Sequence, residues 1–168
     1  LKSKLRRALE RDELVVVYQP KVDLRSGQIV GAEALLRWRL PGHGDISPSQ
    51  FIPLAEETNL ILSIGDWVMN RVCADYQLWR KQIPNPGRVS MNLSLKQLRQ
   101  SSFITRCKSI FKRHDVSPTC FELEITETTL MVDAKRTLKL LDELYGMGLH
   151  LSIDDFGTGY SSLSALQQ

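Results

Sequence analysis

Four apolar segments of this chain each carry an oxygen-bearing side chain at or near their end. Leu151-Ser-Ile-Asp154-Asp155 closes on two adjacent carboxylates, then enters a Gly-Thr-Gly turn and a serine pair. Glu33 sits inside Ile29-Val-Gly-Ala-Glu-Ala-Leu-Leu36, Asn92 inside Val89-Ser-Met-Asn-Leu-Ser94, and Glu124 inside Phe121-Glu-Leu-Glu-Ile-Thr-Glu127. If the segments are strands lying side by side, these oxygens meet at one rim, the all-oxygen surrounding that a hard divalent cation such as magnesium prefers. Period-two alternation puts Ser90 and Asn92 on one face, Glu122, Glu124 and Thr126 on one, and Ser152 and Asp154 on one. Their apolar neighbours (Val89, Met91, Leu123, Ile125, Leu151, Ile153) then face helices. Polar groups on the inner face of such strands are costly to bury unpaired, and a bound cation accounts for several of them together.

The elements that must position these residues follow from periodicity. Residues 1–11 read as a charged, linker-like helix. Leu14 to Gln19 and Ile29 to Trp38 read as a strand pair joined through the Asp23–Gln28 turn, a hairpin. Pro41 to Ser49 reads as a Gly/Pro loop, with helical structure beginning at Pro48. Apolar groups at Ile61, Ile64, Val68, Val72, Tyr76 and Trp79 predict a helix over 60–82. From there strands at 88–93, 120–126 and 149–154 alternate with helices within 94–114 and 127–147, and a further helix is expected from Ser161. Such alternation implies a parallel sheet with right-handed crossovers. Five strands in 168 residues match the first two-thirds of a (β/α)8 barrel, which takes about 250 residues. Ligands of such barrels bind at the C-terminal strand ends, where these carboxylates fall.

Bulk properties narrow the class. A hydrophobic fraction of 42% and a charged fraction of 24% are ordinary for a globular chain. The start reads as an amphipathic charged helix rather than a secretory signal, and no apolar run approaches the ~20 residues of a membrane span. A cytoplasmic domain is expected, with any anchor elsewhere in a longer parent. Cys73, Cys107 and Cys120 form no zinc pattern and are expected to be neutral thiols. Residues 71–113 hold ten Lys or Arg against Asp75 alone, whereas residues 114–168 hold nine acidic residues and three basic ones. The basic charges flank apolar positions at helical spacing (Phe103, Ile104, Cys107, Ile110, Phe111), so a solvated helix face is favoured over a DNA-binding surface. His43, His114 and His150 lack ligand spacing. Gly157-Thr-Gly159 lacks the lysine of a phosphate-binding loop, and no GxSxG elbow is present.

Glu33-Ala34-Leu35 within Gly31-Ala-Glu-Ala-Leu-Leu-Arg-Trp38 resembles the signature of the EAL domain family, bacterial phosphodiesterases that hydrolyse cyclic di-GMP. Tyr18-Gln19-Pro20, Ile46-Ser-Pro-Ser-Gln-Phe-Ile-Pro-Leu-Ala-Glu56, Asn92-Leu-Ser94, Glu124-Ile-Thr-Glu127 and Asp154-Asp-Phe-Gly-Thr-Gly-Tyr-Ser-Ser162 match in family order across the chain, the last of them highly specifically. The resemblance implies an α/β, modified (β/α)8 TIM-like barrel whose first strand runs antiparallel to the rest, so residues 1–168 would be the N-terminal two-thirds of the domain. It implies metal ligation by Glu33, Asn92, Glu124 and Asp154, a second ion held with the help of Asp155, and Glu127 bracing the loop after Asp154–Asp155. Gln19 and Arg37 would contact the dinucleotide. The implied reaction cuts one 3′–5′ phosphodiester bond to give linear pGpG, with two magnesium or manganese ions activating water and neutralising phosphoryl charge. The family also needs a lysine, a glutamate and a glutamine beyond residue 168. An upstream GGDEF or sensory domain and a homodimer are further expectations. A non-catalytic cyclic di-GMP receptor is the alternative, although such proteins usually lose a metal ligand and here every visible one is present. An unrelated metal-dependent barrel enzyme is disfavoured by the Asp-Asp-Phe-Gly-Thr-Gly-Tyr loop.

Overall fold

A computed structural model of the chain describes residues 1–126 and 133–154. The elements run α1 (Lys2–Ala8), β1 (Leu14–Val22), β2 (Ile29–Leu40), β3 (Gly44–Ile46), α2 (Pro48–Glu57), α3 (Leu60–Gln82), β4 (Arg88–Asn92), α4 (Leu95–Leu98), α5 (Phe103–Arg113), a 3-10 turn at Pro118–Cys120, β5 (Phe121–Thr126), α6 (Ala134–Gly146) and β6 (His150–Asp154). The helix expected from Ser161 lies outside the described residues. The segment 41–49, expected to be loop throughout, contains the short strand β3. It pairs antiparallel with the end of β2, Trp38 opposite Ile46, and brings the described strands to six rather than five.

The sheet order is β1-β2-β4-β5-β6, with β3 on β2. β1 is antiparallel to β2, and β2, β4, β5 and β6 run parallel. This is the α/β barrel architecture with a reversed first strand. Among the described residues the barrel is incomplete, with β1 and β6 as the two edges. The hairpin turn is tied by Asp23, whose Oδ1 accepts from the Ser26 amide at 2.7 Å and the Arg25 amide at 3.0 Å. That is an Asx turn. Close to that turn β4 approaches β2 so closely that a Cβ on Gly31 would stand 2.2 Å from the Arg88 carbonyl oxygen. Only glycine allows that approach.

Two apolar cores anchor the sheet. The larger packs the outward residues of β4 and β5 (Val89, Met91, Phe121, Leu123, Ile125) against α3, α5 and α6. Phe121 stacks on Phe111 at 5.3 Å and meets Tyr76 edge-on at 5.2 Å. The smaller gathers Trp38, Phe51, Ile61 and Ile64 with Leu5 and Ala8 of α1. The first helix thus contributes side chains to a core. Trp38 also donates its indole N–H to Glu13 at 3.0 Å, which satisfies the one polar atom of a fully buried ring. The helical stripe on α3 behaves as its spacing requires: Ile61, Ile64, Val72 and Tyr76 are buried, and Val68 and Trp79 pack against the core. On α5, Phe103, Cys107, Ile110 and Phe111 turn inward and leave Lys108, Lys112 and Arg113 exposed, while the half-buried Arg106 pairs with Asp66 of α3 at 3.1 Å.

Candidate functional site

The inner face of the sheet carries the polar set. Paired residues on neighbouring strands point to the same side, so the register says how the candidates stand to one another. Glu33 on β2 lies opposite Ser90 on β4, Asn92 opposite Glu124 on β5, and Thr126 opposite Asp154 on β6. Passing from Glu33 to Asp154 therefore advances two residues between β2 and β4, none between β4 and β5, and two between β5 and β6. Barrel strands tilt, so side chains at one height above the axis do not share a register row; they advance by about one residue per strand in an eight-stranded barrel. Glu33, Asn92, Glu124 and Asp154 thus lie along a diagonal of the inner face.

The side-chain contacts are specific. Asn92 donates its amide N–H to Glu33 Oε1 at 3.0 Å, although the two residues lie 59 apart in sequence. Glu124 is nearly buried, and its Oε1 accepts from Lys21 Nζ at 2.7 Å. Lys21 sits on β1, three strand spacings from β5, roughly 14 Å along a flat sheet. The contact therefore requires the sheet to curl so that its inner face closes on itself. Burial alone would lower the Lys21 pKa, but the hydrogen bond it donates to Glu124 and the charges of Glu124, Glu122 and Glu33 outweigh it and hold the ammonium above the ordinary lysine range. Lys21 thus senses three carboxylates at once. Below this level Arg88 reaches Glu122 at 3.5 Å, and the buried Ser90 hydroxyl has no partner among the described residues.

Gln19 lies directly opposite Glu33 across the hairpin and is exposed. Arg37 is on the same face but four residues further along β2, opposite Val15, where its guanidinium donates to the Leu36 carbonyl at 2.9 Å. The structure brings Gln19 beside Glu33 and leaves Arg37 apart from both. Asp155 and Glu127, together with the Gly157-Thr-Gly159 loop, lie outside the described residues. Among the described residues, no three His, Cys, Asp or Glu side chains stand close enough to hold one metal ion. A cavity of about 570 Å³ lies between the outer face of the sheet (Ala34, Met91, Leu123) and helices α2 and α3 (Ile52, Ile61, Val68), and reaches the strand ends. Its wall is mostly apolar, with Asn92, Glu124 and Thr126 bringing polar groups to it. That volume lies within the range of small-ligand sites.

Sequence reasoning missed Lys21. It lies beyond the strand expected at Leu14 to Gln19, and only because β1 runs on to Val22 does it share the inner face with Gln19; that it reaches β5 was not readable, because the contact depends on how far the sheet curls. Two of the cysteines, Cys73 and Cys107, are buried. Burial pushes Cys73 and Cys107 up to about 12 each, with the charge of the Cys107 thiolate adding to Cys73 and that of Asp66 to Cys107.

Residues 2–168 match the model of the EAL domain family. The chain belongs to that family. It is 46% identical over 164 residues to the bifunctional diguanylate cyclase/cyclic di-GMP phosphodiesterase MucR of Pseudomonas aeruginosa, a match covering 98% of this chain and 24% of that protein. The solved structure of the MucR phosphodiesterase in complex with c-di-GMP superposes with a TM-score of 0.92, covering 98% of this chain and 66% of that one. The EAL enzyme Bd1971, solved with cAMP and cyclic di-GMP bound, gives a TM-score of 0.92 at 32% identity, covering 99% of this chain and 46% of that one. The chain thus spans about a quarter of the curated relative and about two-thirds of the MucR structure. Among the described residues, no helix is long and apolar enough to cross a membrane.

Proposed function

We propose that this chain forms part of a phosphodiesterase domain that hydrolyses cyclic di-GMP to linear pGpG in a divalent-metal-dependent reaction. The observation that carries the reading is the diagonal of Glu33, Asn92, Glu124 and Asp154 across the inner face of a sheet that superposes on EAL domains. MucR and Bd1971 have structures with this dinucleotide bound.

The donor types suit a hard cation. The donors are carboxylates and an amide oxygen, and the ammonium already drawn to Glu124 under the charges of Glu122 and Glu33 marks the inner face as a cation-attracting region. Glu33, Asn92, Glu124 and Asp154, with Asp155 for a second ion, would hold magnesium or manganese. Such ions supply an activated water and neutralise charge on the phosphoryl oxygens. The chain's own residues set the frame. The Asn92 amide orients the Glu33 carboxylate through its hydrogen bond. Gln19, opposite Glu33, offers an amide to the dinucleotide, and Arg37 further along β2 offers a guanidinium suited to a phosphate oxygen or a guanine edge. Glu127 would brace the segment after Asp154. The anionic rim would repel a phosphodiester by itself and receive it once cations are bound.

The same proposal includes a cytoplasmic setting, a homodimer and an upstream GGDEF or sensory domain in the parent protein; MucR, which pairs a cyclase with a phosphodiesterase, supports the last of these. Incubating the protein with cyclic di-GMP and magnesium tests the reading. Formation of pGpG, lost in Glu33→Ala, supports it; tight binding without turnover would favour the receptor alternative, and neither binding nor turnover would remove both.

A further inference from the structure

Lys21 has no part in the reaction just proposed, yet it makes the one direct contact that ties β1 to β5 across the inner face among the described hydrogen bonds. Its side chain is 40% exposed and that of Glu124 only 9%. Across the hairpin its partner is Gly31, so no side chain of β2 competes with it at that position. A nearly buried carboxylate needs a positive partner, because an uncompensated charge there is expensive. A half-exposed lysine, by contrast, loses little by swinging its head into water along a flexible stem. The pair is therefore unequal: Glu124 requires a cation, but not this one.

We propose that Lys21 is a built-in counter-ion that competes with a divalent cation for Glu124, and so weakens and sets the affinity of the acidic rim for that ion. The inference rests on the reading of the rim as a cation site. Without the ion, Lys21 holds the Glu124 side chain in place through its hydrogen bond. When the ion arrives, the ammonium is repelled by it and gives up Glu Oε1. The device prevents the carboxylates from scattering apart in the empty state and raises the cation concentration at which the site fills.

Isothermal titration of the protein with Mn2+, without nucleotide, tests this. Lys21→Met is expected to bind Mn2+ about fivefold or more tightly than wild type, the equivalent of one modest ion pair. Lys21→Arg, which keeps the charge, is expected to stay near wild type. In a Glu124→Gln background, Lys21→Met is expected to change little, because the two residues act through one contact. If Lys21→Met does not keep a native urea transition, Lys21→Gln carries the test. Unchanged or weaker Mn2+ binding in the folded Lys21 variants, or an equal gain in the Glu124→Gln background, overturns the proposal. If wild type binds Mn2+ and the lysine variants match it, the metal reading stands and only the role of Lys21 falls; if neither wild type nor the variants bind Mn2+, both fall.

Discussion

The two faces of β4 and β5 are built from alternate residues of the same ten or so positions, yet they obey different rules. On the outer face Val89, Met91, Phe121, Leu123 and Ile125 are buried against helices, and each needs only shape. On the inner face Ser90, Asn92, Glu122 and Glu124 stand at the intervening positions, and each needs a partner of defined chemistry. The partners come from afar: Glu33 for Asn92, Arg88 for Glu122, Lys21 for Glu124. The outer face is thus where free energy of folding is gathered, by removing apolar area from water. The inner face is where it is partly spent on arrangement, and the Ser90 hydroxyl, without a partner among the described residues, is the clearest sign of that cost.

Substitutions that touch one face at a time separate these roles. The largest expected effect is on the outer face. Phe121→Ala removes a fully buried ring from two aromatic contacts and should cost about 3–5 kcal/mol in urea unfolding. On the inner face the pattern should invert. Glu33→Ala is expected to lower cyclic di-GMP turnover by at least about a hundredfold, comparable to the loss of one preorganised group at a reacting centre. Its unfolding free energy should move by no more than about 1 kcal/mol, the value of the exposed hydrogen bond from Asn92. A Glu33 variant with full turnover, or one that unfolds as easily as Phe121→Ala, would erase the contrast between the faces.

A pH series sharpens it further. Burial raises the folded-state pKa of Cys73 and Cys107 from the ordinary 9.0 to about 12. The contribution of each thiol is therefore complete below about pH 9 and is lost as pH climbs through the folded value, because the unfolded chain releases its protons first. Stability should fall in that window by up to about 1.4 kcal/mol per pH unit for each thiol, and replacing both by alanine should flatten the decline seen in urea midpoints. The smallest effect is local. Ser94 and Gln97 form a reciprocal capping box at the start of α4, just past Asn92. Ser94→Ala should cost about 1 kcal/mol, and any loss of turnover beyond that would show that the cap also steadies the strand end that bears Asn92.

Much of this was legible without coordinates. The helix over 60–82, the hairpin of β1 and β2, and the alternation of strands and helices from 88 onward follow from apolar spacing, since periods of 3.6 and 2 are imposed by backbone geometry. The inner-face assignment of Ser90, Asn92, Glu122 and Glu124 follows from the same rule. The strand Gly44–Ile46 was not legible, because three residues between turns carry too little periodicity to announce pairing, and it exists only because the end of β2 offers an edge. Nor was the separation of Arg37 from Gln19, which depends on antiparallel register rather than on residue type.

Sequence by itself determined which residues alternate toward water and which toward helices, and with that the chemistry available to the rim: carboxylates, an amide and no histidine cluster. Tertiary structure decided how those groups meet. Strand pairing set Glu33, Asn92, Glu124 and Asp154 along one diagonal of the inner face, and the curl of the sheet brought Lys21 within 2.7 Å of Glu124 across 103 residues of chain. Local periodicity is a property of the backbone and is written in spacing; curvature arises from the packing of every strand and helix together, and no single stretch of sequence contains it.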